Sequence, residues 1–105
     1  MTTNWNTALD DATRAARTSL AGAWDAVAES APPRIAELTA AAQYIAEHEQ
    51  EMTRDEAQLL ASQYQEALRN VLLAGQAIDE AAAHNAVVAV MCSLAGAAPA
   101  LARFV

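Results

Sequence analysis

Lysine does not occur in this 105-residue chain, and all six of its permanent cations are arginines. Set against 13 acids, they leave a formal charge of −7. A surface that grips a phosphate backbone needs clustered cations. Here Arg14, Arg17, Arg34 and Arg54 are scattered over three segments, so direct nucleic-acid binding is not expected. The acidity suits solubility, a basic partner, or mimicry of a nucleic-acid backbone.

Cysteine is nearly missing as well. A single Cys92 excludes an intrachain disulfide and any Cys-based zinc site. Its place on an apolar stripe predicts a buried, inert thiol. With three glycines there is no Gly-rich phosphate loop, and no Ser-His-Asp order, Cys-His pair or Walker pattern occurs. The paired carboxylates Asp10-Asp11 and Glu49/Glu51 lie in polar segments, where nothing would raise a pKa for general acid–base work. No catalytic residue and no cofactor is therefore expected, and the chain reads as a non-enzyme. His48 and His84 are the only histidines. Glu51 follows His48 by three and Glu80 precedes His84 by four, which is not the Glu-x-x-His spacing of a metal-holding bundle, so no metal is expected.

Large apolar side chains are scarce too. The chain is 54% hydrophobic, but 29 of those residues are alanine and aromatics make up only 5%. One copy then has little large surface to set against its conformational entropy, which argues for a homodimer. The amino terminus, Met-Thr-Thr-Asn-Trp-Asn, lacks the apolar core of a signal segment, so a cytoplasmic location is expected.

What is abundant is helix-forming sequence, and the expected class is all-α in one domain over 1–105. Ala57, Leu60, Tyr64, Ala67, Val71, Ala74, Ile78, Ala81, Asn85, Val88, Cys92 and Ala95 alternate spacings of three and four, a heptad pattern kept for more than five repeats. Thr53-Arg54-Asp55-Glu56 ahead of it has the form of a capping box. The spacing predicts one helix over about 54–95, roughly 60 Å long. Within it Tyr64, Val71, Ile78, Asn85, Val88 and Cys92 form a candidate oligomer seam, with Asn85 able to set register by pairing with its own mate.

Two shorter helices precede it. The first, about 7–30, starts at Asn6 or Thr7 and carries Trp5, Leu9, Ala12, Ala16, Leu20, Trp24, Val27 and Ala31 as one stripe. Gly22 inside it costs about 1 kcal/mol against alanine and leaves room for a neighbouring helix. The second, about 33–51, begins at Pro32-Pro33, where a missing N–H is harmless, and buries Ile35, Leu38, Ala42, Ile45 and Met52. Its end, Glu47-His48-Glu49-Gln50-Glu51, opposes the helix dipole. Residues 86–102 carry no charge, but Ser93, Gly96, Pro99 and the alanine content argue against a membrane span and for a buried helix. Ala95-Gly96-Ala97-Ala98-Pro99 should end that helix, with the tail 96–105 docked through Leu101, Phe104 and Val105.

The expected architecture is a helical hairpin packed on one long C-terminal helix. The alternative breaks that helix near Gly75 or Asn85 into a four-helix up-down bundle. The leading function is a non-enzymatic protein-interaction or structural module acting as a homo-oligomer. Two alternatives are an acidic inhibitor or nucleic-acid mimic on a basic site of a partner, and a small-ligand or metal bundle with a polar pocket near Glu80, His84 and Asn85.

Overall fold

The computed structural model of the chain describes residues 3–104, with side chains described through Ala102. The protein is all-α. Helix α1 spans Trp5–Leu20, α2 Ala31–Glu47, α3 Arg54–Ala74 and α4 Glu80–Ala97. Two 3₁₀ segments, Ala21–Val27 and Pro99–Phe104, complete it, and there is no strand among the described residues.

The helix expected across 54–95 is two helices. A rod of that length could not fit a molecule whose longest dimension is 40 Å. The chain reverses through Gly75, Gln76, Ala77, Ile78 and Asp79. Gly75 weakens the helix there, and Gln76 takes a positive φ of 59°. Asp79 then starts α4 as an N-cap, its carboxylate accepting from the Ala82 N–H at 2.8 Å. Ile78, 3% exposed, plugs the turn into the core. A turn this short makes α3 and α4 antiparallel neighbours, so the four-helix arrangement is the one adopted.

The start of α3 follows the capping box. Glu56 N–H donates to Thr53 Oγ1 at 3.1 Å, and Thr53 N–H donates to the Glu56 carboxylate at 3.0 Å. Helix α1 differs from expectation at both ends. Asn4 caps it, its side-chain oxygen accepting from the N–H groups of Asn6 and Thr7, so the helix opens at Trp5 rather than at Asn6 or Thr7. It stops at Leu20, because Ala21 adopts φ 51° and the chain tightens into 3₁₀ turns. Gly22 is exposed, and a Cβ there would meet nothing within 4 Å, so it admits no neighbour. Pro32 and Pro33 sit in the first turn of α2 as expected. That helix ends at Glu47, which leaves Glu49 and Glu51 in the following turn.

The helices touch in a ring: α1 on α2, α2 on α3, α3 on α4 and α4 on α1, the α1–α4 and α2–α3 contacts being the most extensive. Their shared core holds Ala12, Ala16 and Leu20 from α1, Ile35, Leu38 and Ile45 from α2, Leu68 and Leu72 from α3, and Val90, Met91 and Leu94 from α4. Ala83, Ala86 and Val87 are buried as well. The uncharged run at 86–102 thus finds much of its cover inside the chain, against α1 and the tail. By length and composition alone, α4 is apolar enough to cross a membrane. Leu101 is 1% exposed beneath the tail, which contacts α4 and α2. The Phe104 side chain and Val105 lie outside the described residues.

Candidate functional site

The reversal at 75–79 redistributes the six seam candidates. On α3 the buried positions are Ala57, which belongs to the heptad, and Ala61, Leu68 and Leu72, each one residue beyond the heptad positions Leu60, Ala67 and Val71. One residue is about 100° of helix, so Tyr64 and Val71 stand at the edge of the core, half-buried. On α4 the inward face is Ala83, Ala86, Val87, Val90, Met91 and Leu94, which leaves Val88 half-buried and Asn85 exposed. Cys92 is exposed as well, contrary to the buried thiol expected of it. Only Ile78 is buried, in the turn rather than on a helix. Leu73 is half-buried and packs partly against the core.

An apolar opening lies between α2 and α3, a groove of about 630 Å³. One wall is α2, which supplies Ala40, Ala41 and Tyr44; the other is α3, which supplies Leu59, Leu60 and Tyr64. Met52 closes the end where the two helices are joined. The hollow has a plain cause. Ala40 and Ala41 put only methyl groups between large residues, while Ala57 and Ala61 draw the helices together beneath.

Two side chains in this groove stand out. Leu59 is 62% exposed and Tyr44 49% exposed, the large hydrophobic residues that the described part of the fold leaves uncovered. Tyr44 is not loose. Its ring stacks on His48 with centroids 4.0 Å apart and planes 20° from parallel. His48 in turn donates from Nδ1 to the Tyr44 carbonyl at 2.9 Å. The polar groups of the groove are Gln63, Glu37 and Glu56. Glu37 holds Arg34 with both oxygens, at 2.9 and 3.0 Å. The backbone N–H and then the hydroxyl of Thr53 hold the Glu56 carboxyl below its ordinary range.

A smaller groove of about 280 Å³ lies between α3 and α4, lined among others by Gln65, Glu66, Arg69, His84 and Val88. It is the nearest counterpart of the polar pocket expected around Glu80, His84 and Asn85, and it takes only His84 of the three. Glu80 lies beside it, 3.9 Å from Arg69. Gln65 Nε2 is buried there without a hydrogen-bond partner among the described residues. No three His, Cys, Asp or Glu side chains among the described residues converge as a metal-holding group.

Sequence reasoning missed Leu59 and Tyr44. The signal was present: Leu59 stands beside Leu60 between Gln58 and Ser62, so one of two adjacent leucines had to leave the buried face. Comparison of the chain with protein-family models, with curated proteins and with solved structures gave no match.

Proposed function

We propose that this chain is a non-enzymatic helical interaction module that receives another protein in the α2–α3 groove. The observation that carries the reading is the pairing of Leu59 and Tyr44 in one concavity while the leucines of the core are 6% exposed or less. Single exposed leucines are ordinary; an exposed leucine and an exposed, pre-stacked tyrosine lining the same groove form a recognition surface. Rigid aromatic anchors beside aliphatic ones are what interfaces concentrate.

Self-association is the second reading, and the same two residues favour it, since a second copy would cover them. The acidic-inhibitor reading uses this surface too and differs only in what the partner brings.

A photo-crosslinking amino acid placed at position 59, and in a control at Arg17 on α1, tests the proposal in the source cell. A discrete adduct of defined mass from position 59, absent from position 17, is expected. Equal labelling at both positions, or none at 59, overturns it.

A further inference from the structure

We infer that the occupant of the α2–α3 groove is a short amphipathic helix whose apolar face is flanked by lysine or arginine. This rests on the reading of the groove as a protein-docking surface and adds the chemistry of the partner.

Shape comes first. The groove runs from Glu37 to Tyr44 on α2 and from Glu56 to Tyr64 on α3. That is about 10–12 Å, the rise of roughly two helical turns. A furrow between two packed helices is the negative of a third helix, read by anchors at i, i+3 or i+4, and i+7. With Leu59 and Tyr44 on opposite walls and alanines between, such anchors have both a place to enter and rims to grip.

Charge comes second. Between residues 31 and 74 there are seven acids and three arginines, so most of the chain's excess of acid lies on the hairpin that bears the groove. The lining itself contains two carboxylates and no cation. One of the three arginines, Arg34, is already held by Glu37. Glu56 is not offset in this way, since the group that donates to its carboxylate, the Thr53 backbone N–H, is neutral. A second copy of the chain would bring a further −7 and its own Glu37 and Glu56 to the contact. A helix with flanking cations meets the opposite field, which favours its encounter and its register.

The test is a selection from a displayed library of helical peptides about 16 residues long, long enough to overhang two turns. The purified chain is the bait and Leu59→Gln the counter-bait, with circular dichroism verifying that the variant keeps its helix content. Selected peptides should share large aliphatic residues at i, i+3 or i+4, and i+7, with cations outnumbering acids on the flanks. The best of them should bind Leu59→Gln at least about tenfold more weakly. They should also lose about tenfold in affinity as salt rises into the range where the Debye length falls toward roughly 3 Å. Peptides that depend on Leu59 but are neutral or acidic would overturn the inferred chemistry and leave the interaction module standing. A library without any Leu59-dependent peptide would overturn both. Light scattering on the bait alone supplies the remaining arm. A dimer that Leu59→Gln abolishes would give the groove to a second copy and overturn the inference.

Discussion

Ala21 and Gln76 are the two described non-glycine residues with positive φ, at 51° and 59°, and each stands at the end of an α-helix. For a side chain with a Cβ that region is costly, and neither residue has the short polar group that eases it. Sequence reading had no access to either, because alanine and glutamine favour helix, and Gly22 and Gly75 beside them drew attention to the wrong residues. Ala21→Gly should therefore raise stability by about 0.5–1 kcal/mol in denaturant unfolding, despite glycine's greater freedom in the unfolded chain. A loss of similar size would mean that the α1 terminus is not in this conformation. The cap of α3 provides a second residue-scale test. Thr53→Ala should cost about 1 kcal/mol near neutral pH. The folded pKa of Glu56 is depressed, so its contribution is present above its unfolded pKa and is lost as pH falls through the lower folded value. Thr53→Ala keeps the backbone N–H that chiefly lowers this pKa, so the test is Glu56→Gln, whose cost should shrink on acidification through that window. A Glu56→Gln cost that is constant with pH would show that the carboxylate's charge adds nothing at this cap.

At the scale of elements, starts proved more legible than ends. The capping box at Thr53 and the prolines before Arg34 marked two helix starts directly, since both act through local hydrogen bonding. The reversal at 75–79 was harder to see because it uses neither proline nor a polar turn cluster. One glycine, one cap and the burial of Ile78 bring it about, and the last of these is a tertiary effect. The heptad was a real periodicity in the wrong register. When alanine populates several faces of a helix, a stripe of alanines says little about which face is buried, and the large residues decide. Leu68 and Leu72 face inward on α3, and Val90, Met91 and Leu94 on α4. Asn85 separates the registers, and Ile78, buried in both, is the control. Ile78→Asn should cost several kcal/mol through lost burial and an unpaired amide. Asn85→Leu, on the exposed side of α4, should move stability by no more than about 0.5 kcal/mol and leave the sizing profile unchanged. A gain of about 1–2 kcal/mol in Asn85→Leu, or a changed sizing profile, would restore the continuous seam through Asn85.

At the scale of the whole molecule, a chain short of large residues closes a core in which leucines are mixed with alanines. Alanine lets the helices approach, and the nine largest fully buried side chains are all aliphatic or methionine. The same economy leaves a surplus on one side. Leu59 and Tyr44 are not needed to close the ring of helices, and they line the groove to which a partner is assigned here. The all-α class was legible from composition, since alanine content and the scarcity of consecutive β-branched residues act along the whole chain. The groove was not, because it lies between two consecutive helices whose facing residues are set by a register only packing determines. The central claim is that Leu59 lies outside the core while Leu68, nine residues later on the same helix, lies within it. Denaturant unfolding of Leu59→Gln beside Leu68→Ala tests this directly. Leu59→Gln should stay within about 0.5 kcal/mol of the parent, whereas Leu68→Ala should lose about 2–5 kcal/mol. Comparable losses in both would place Leu59 in the core and contradict the existence of an open α2–α3 groove.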